Sequence, residues 1–166
     1  MTAPDNVTVL IYYQNAKRAA EVQELVTQRF PELSVVAVST PADAEAHVGQ
    51  ADVIAGWGFP PALLKEAGNL RWFHKFAAGV DDIVSADTLP ETAALTRTDG
   101  RVFGRRMAEY VIAYMLAFTQ NIPRILTQQA ERQWKPFLTQ RVAGKTVGIA
   151  GVGDIGQEIV RRAAAL

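Results

Sequence analysis

Six residues near the end of the chain, Gly151-Val-Gly-Asp-Ile-Gly156, have the glycine spacing of a loop that grips a pyrophosphate. Gly151 permits the tight turn, Gly153 lets backbone approach a phosphate, and Gly156 lets a helix pack closely on the segment before the loop. Asp154 and Ile155 open that helix, whose free N–H groups and partial positive charge suit an anion. The spacing carries weight only between a strand and a helix. Lys145-Thr-Val-Gly-Ile-Ala150 reads as the strand, and residues 154–166 as a helix with Ile155, Ile159, Val160 and Ala163 recurring along it. The competing reading is a glycine-rich turn with no ligand. An acidic residue that reads the adenosine ribose is expected about 20 residues further on. The chain ends at Leu166, so the expectation is a dinucleotide site of which most lies elsewhere, with NAD and NADP both open.

Other chemistry is sparse. His47 and His74 are the only histidines, and His74 falls on an expected strand with Trp72 and Phe76 on the same face, so both read as structural. Cysteine is absent, which excludes disulfides, Cys-based zinc sites and thiol catalysis. Lysine plus arginine equals aspartate plus glutamate at 17 each. A nucleic-acid or membrane-surface binder would show a basic excess, so neither partner is expected. The longest apolar run, residues 110–118, falls short of the ~20 residues that a membrane-spanning helix needs. Residues 1–6 carry no basic and apolar leader pattern. A cytoplasmic protein is the expectation.

These residues must be positioned by a fold, and the pattern for one is clear. Short β-branched runs at residues 7–13, 33–38, 52–55, 70–76 and 93–96 alternate with helical stretches at 16–30, 41–48 and 62–67. In the first helix Val22, Leu25, Val26 and Phe30 share a side. Strands alternating with helices over short connections predict an α/β, flavodoxin-like, doubly wound parallel sheet over residues 1–100. Residues 56–61 read as a loop. Residues 107–118 carry one charge, Glu109, and predict a long helix that is apolar nearly all round and needs cover. Residues 121–143 are polar, with Pro123, Trp134 and Pro136, and read as an irregular arm. The expected organisation is a first domain at 1–100, a helix and arm at 101–143, and the first strand–helix unit of a truncated Rossmann domain at 144–166.

Four stretches then occur in a telling order: Gly56-Trp-Gly-Phe-Pro60, Leu70-Arg-Trp-Phe-His-Lys-Phe-Ala-Ala-Gly-Val-Asp81, Gly104-Arg-Arg-Met-Ala-Glu-Tyr-Val-Ile-Ala-Tyr-Met-Leu116, and the glycine loop after Val142-Ala-Gly-Lys145. The ordered set resembles the N-terminal half of a D-isomer-specific 2-hydroxyacid dehydrogenase of the glyoxylate/hydroxypyruvate reductase-like branch. The resemblance implies a substrate domain, an interdomain helix, a dimerisation arm and an NAD- or NADP-binding domain. It implies reduction of small 2-oxo acids to D-2-hydroxy acids by a homodimer.

By the same resemblance, Ala78, Gly79 and Val80 present backbone N–H groups to the substrate carboxylate. Successive N–H groups in a turn form a small anion nest, and Gly79 carries no Cβ to obstruct it. The plainer alternative is a strand-to-helix turn capped by Asp81 or Asp82. Trp57 would face the substrate, or else be a half-buried loop aromatic. Met107 would lie near the nicotinamide, or else be core. The family's catalytic arginine and His–Glu pair match no residue here, so the chain alone is expected to be inactive. A non-catalytic flavodoxin-like binding or dimerisation module is the alternative. A phospho-acceptor receiver is excluded, because Gln14-Asn15 and Gly56-Trp57 stand where acidic residues would bind Mg²⁺. A flavin-phosphate loop is excluded by Gln14-Asn-Ala-Lys17.

Overall fold

The computed structural model describes residues 7–166; the N-terminal hexapeptide, where the leader pattern was sought, lies outside the described residues. The chain divides into two compact units, one up to Thr98 and one from Asp99.

The first unit is a parallel sheet of β1 (Thr8–Tyr13), β2 (Ser34–Val38), β3 (Val53–Trp57), β4 (Trp72–Lys75) and β5 (Ala94–Arg97), in the order β2-β1-β3-β4-β5. This is the strand order of the flavodoxin-like fold. One side-chain row crosses it completely: Val36, Leu10, Ile54, Phe73 and Leu95 are register partners from edge to edge. Leu10, Ile54 and Phe73 are fully buried. They form the core with Ala44 and Val48 of α2 (Pro41–Val48), Leu64 of a 3₁₀ turn (Pro61–Glu66), and Ile83 of the short α3 (Asp81–Val84). Phe59 joins Tyr12 and Phe73 edge to face, at 5.5 and 5.8 Å.

α1 (Ala16–Arg29) packs on β1 and β2 through buried Ala19, half-buried Val22 and Val26, and the Gln23 amide, which donates to the Val35 carbonyl at 2.8 Å. Leu25 and Phe30, expected on the inner side, are exposed. The small Ala19 admits close approach, so the buried stripe centres there. β3 also corrects the expected loop at residues 56–61, because Gly56 and Trp57 pair with Tyr12 and Tyr13 of β1.

In the second unit α4 (Gly100–Thr119) starts seven residues before the expected helix. Its stripe of Gly100, Gly104 and Ala108 is buried, and α6 (Asp154–Ala163) packs there. A Cβ at Gly104 would come within 3.2 Å of Glu158 Cγ and 3.4 Å of the Asp154 carbonyl oxygen, so the two helices approach through missing side chains. Arg162 also reaches Glu109 at 3.3 Å.

Two expectations fail in this unit. The arm is not irregular throughout: α5 (Ile122–Ala130) has Pro123 in its first turn, where proline starts a helix rather than ending one. Residues 145–150 form no strand. A parallel strand exists only against a neighbour that satisfies its N–H and C=O groups, and no described residue pairs with this one.

Candidate functional site

The loops at the carboxyl ends of a parallel sheet are where open α/β folds bind ligands. Here that edge collects Tyr13, Trp57, the turn after β4, and Thr98. Trp57 ends β3 with 45% of its surface exposed. The Tyr13 and Phe76 rings stack at 5.7 Å, and Phe76 meets His74 edge-on at 5.5 Å.

Residues 76–80 are held by their carbonyls. Thr98 N–H donates to the carbonyls of Lys75 at 3.0 Å and Ala77 at 3.2 Å, and Arg97 Nη1 donates to Ala78 O at 2.8 Å. Among the described residues none accepts from the N–H groups of Ala78, Gly79 or Val80. No described peptide bond is cis. In a trans peptide the N–H points opposite to the C=O. Tying the Ala77 and Ala78 carbonyls toward β5 therefore turns the Ala78 and Gly79 N–H groups away from it, side by side. Gly79 needs no left-handed backbone, and a Cβ added to it would meet nothing nearer than Asp81 Oδ2 at 4.0 Å. Its missing side chain leaves open the space an anion would fill.

The far end of the turn is fixed by Lys75. It is 11% exposed at its side chain and paired with Asp82, whose carboxyl it holds below the usual carboxylate range. His74 and Trp72 share a face, as expected: the Trp72 indole donates to Thr96 Oγ1 at 2.7 Å, and Thr96 lies 2.8 Å from His74 Nδ1. Burial pushes the His74 pKa down. His47 is tied to the Asp43 carbonyl on its own helix.

The glycine loop belongs to the second unit. Gly151 has φ +94°, and a Cβ at Gly156 would stand 2.1 Å from the Gly151 carbonyl oxygen. Only glycine fits there. Gly153 is the N-cap of α6, with no side chain bonded to the cap and nothing within 4 Å of an added Cβ. The Asp154 carboxylate turns toward Gly100 of α4, which leaves the Asp154, Ile155 and Gly156 N–H groups at the open end of the helix. Gln157 Nε2 donates to the Val152 carbonyl at 3.1 Å, which turns the Gly153 N–H away from it. Met107, on α4, is 43% exposed.

Thus Trp57, Ala78, Gly79 and Val80 share one sheet edge, while Met107 and residues 151–156 lie in the other unit. The residues that sequence reasoning missed are Arg97, Thr98 and Lys75. Their signal was weak: a basic residue and a threonine just past a strand mean little until β5 is known to lie beside β4.

The arrangement is that of an α/β protein with a turn of unaccepted main-chain N–H groups on its sheet edge and, in the second unit, a glycine loop opening a helix. Comparison with known proteins carries this to a family. Residues 112–166 match the family model described as D-isomer specific 2-hydroxyacid dehydrogenase, NAD binding domain. Glyoxylate/hydroxypyruvate reductase A of Serratia proteamaculans is 26% identical over 158 residues, which cover 92% of this chain and 49% of that protein. A crystal structure of a D-isomer specific 2-hydroxyacid dehydrogenase family protein from Aeromonas salmonicida superimposes with a TM-score of 0.83 at 30% identity, over 96% of this chain and 50% of that one. The NADPH-dependent glyoxylate/hydroxypyruvate reductase of Sinorhizobium meliloti, solved with NADP and sulfate, gives 0.76 at 26% identity, over 96% and 49%. The chain is thus similar to D-isomer specific 2-hydroxyacid dehydrogenases along nearly its whole length. It spans about half the length of the relatives it matches.

Proposed function

We propose that this chain is the N-terminal portion of an NAD(P)-dependent oxidoreductase that reduces small 2-oxo acids, of the glyoxylate and hydroxypyruvate type, to D-2-hydroxy acids. The observation that carries the reading is the turn at residues 77–80, whose carbonyls are tied to β5 and whose N–H groups face outward at the carboxyl edge of the sheet. Two such donors suit one carboxylate, and Trp57 on the same edge offers a ring to the rest of a small substrate.

Gly151, Gly153, Asp154, Ile155 and Gly156 would hold the pyrophosphate of NAD or NADP through main-chain N–H groups, with Met107 against the nicotinamide. The bound dinucleotide supplies the hydride. The described residues supply grip and orientation. We assign the proton donor to neither histidine: His47 Nδ1 lies 2.8 Å from the Asp43 carbonyl oxygen of its own helix, and His74 Nδ1 lies 2.8 Å from Thr96 Oγ1 in the sheet.

The active form is proposed to be a homodimer. The Tyr110, Tyr114 and Phe118 rings follow one another along α4, tilted to each other, with 58%, 49% and 73% of their surfaces exposed, and Leu126, Trp134 and Leu138 are also exposed. A second copy would cover this apolar surface.

The test is an amide titration of the isotope-labelled chain, followed by NMR. NADPH should move Gly151, Gly153 and Ile155, and glyoxylate should move Ala78, Gly79 and Val80. Gly79→Val should lose the glyoxylate response and keep the NADPH response. Responses confined to other residues would refute the assignment.

A further inference from the structure

Arg97 is the last residue of β5 and sits in one side-chain row with Lys75, Gly56, Tyr12 and Val38, its register partners across the sheet. It is exposed and has no acidic partner among the described residues. Its one hydrogen bond there is to the Ala78 carbonyl at 2.8 Å. An exposed arginine spent on a single main-chain oxygen stabilises little by itself. Its effect is on direction: that carbonyl and the Gly79 N–H belong to the same peptide plane, so holding one aims the other. Thr98 does the same for the Ala77–Ala78 plane.

We infer that Arg97 is a positioning residue for the carboxylate site, setting the Ala78–Gly79 peptide so that the Gly79 N–H faces the substrate. The inference rests on the carboxylate reading of the turn. A guanidinium suits the task because it keeps its charge at every working pH and has five N–H donors in a fixed fork. The guanidinium lies on the carbonyl side of the Ala78–Gly79 peptide, opposite the N–H, so it acts by fixing direction and not by touching the anion. Without it the peptide can rotate, and a carbonyl oxygen facing the substrate repels it.

The probe is oxamate, an unreactive mimic of a 2-oxo acid, titrated into the labelled 166-residue chain and followed at the amides of Ala78, Gly79 and Val80. Arg97→Met is expected to move the Gly79 amide resonance before any ligand is added, with the rest of the sheet unmoved, and to weaken oxamate binding at least tenfold. Arg97→Lys, which keeps a cation and a donor, is expected to recover binding to within threefold. If the unaltered chain shows no response at residues 78–80, the carboxylate reading itself falls. If it responds and Arg97→Met binds equally well with unmoved resonances, the positioning role alone falls. A loss that high salt abolishes, with the Gly79 resonance unmoved, would make Arg97 a distant charge and also overturns the proposal. So would an Arg97→Lys chain that binds no better than Arg97→Met.

Discussion

Gly156→Ala and Gly153→Ala add the same methyl group three residues apart and are expected to do opposite things. At Gly156 the new carbon would stand 2.1 Å from the Gly151 carbonyl oxygen and 3.1 Å from its carbon. Close carbon–oxygen contacts sit near about 3.3 Å, so two stretches of main chain must separate by more than about 1 Å. Overpacking costs about 1–3 kcal/mol where side chains can adjust, and here both partners are backbone. Gly151 is already at φ +94° and has little freedom to yield. At about 3 kcal/mol, the unit beginning at Asp99 should melt on the order of 10–20 °C lower. At Gly153 nothing lies within 4 Å and φ is −76°, so alanine should cost no more than about 1 kcal/mol. Its methyl group would instead occupy the space of the phosphate and weaken NADPH binding. Thermal unfolding by circular dichroism, with amide spectra to locate the change, separates the two effects. A Gly156→Ala chain that melts like the original, with the Gly151 and Ile149 resonances unmoved, would refute the packing argument.

Phe73→Ala removes a buried ring from the centre of the sheet and should destabilise the first unit by about 3–5 kcal/mol, read from urea unfolding. Burial lowers the His74 pKa in the folded chain, so the unfolded chain takes up its proton first as the pH falls through about 6.5. Stability from this group is therefore present above that value and is lost on acidification; His74→Gln should flatten the change in urea midpoint between about pH 7.5 and about pH 5.5. The purified 166-residue chain should not oxidise NADPH with glyoxylate, because missing acid–base and charge-stabilising groups are each worth about 10²–10⁴-fold in rate. Turnover above background in a coupled absorbance assay would contradict this.

Much of the first unit was legible because its signals are local. The helix expected at residues 41–48 is α2 itself, started by Thr40, whose hydroxyl accepts from the Asp43 N–H, and by Pro41 in the first turn. The strand rows follow from β-branched runs whose register the buried face enforces. What was missed depends on partners. Gly56 and Trp57 look like loop residues until β1 lies beside them, and residues 145–150 look like a strand although no described neighbour pairs with them. Gly100 and Gly104 resemble a break before the long helix, yet they are its contact surface for α6. The glycine loop was readable from spacing because each glycine answers a backbone requirement. The grip of Arg97 on Ala78 was not, since it joins side chain to main chain across 19 positions of sequence.

A site made of main-chain N–H groups shifts the burden of selection away from the residues that touch the ligand. Every amino acid except proline carries the same donor, so Ala78, Val80 and also Thr98, which holds Ala77 through its own main-chain N–H, are free to drift, while Arg97, which grips the turn with its side chain, is not. A randomised library over these four positions would put its sequence logo on Arg97 and leave the other three nearly blank. The mutational footprint of such a pocket is displaced by one layer from the pocket itself.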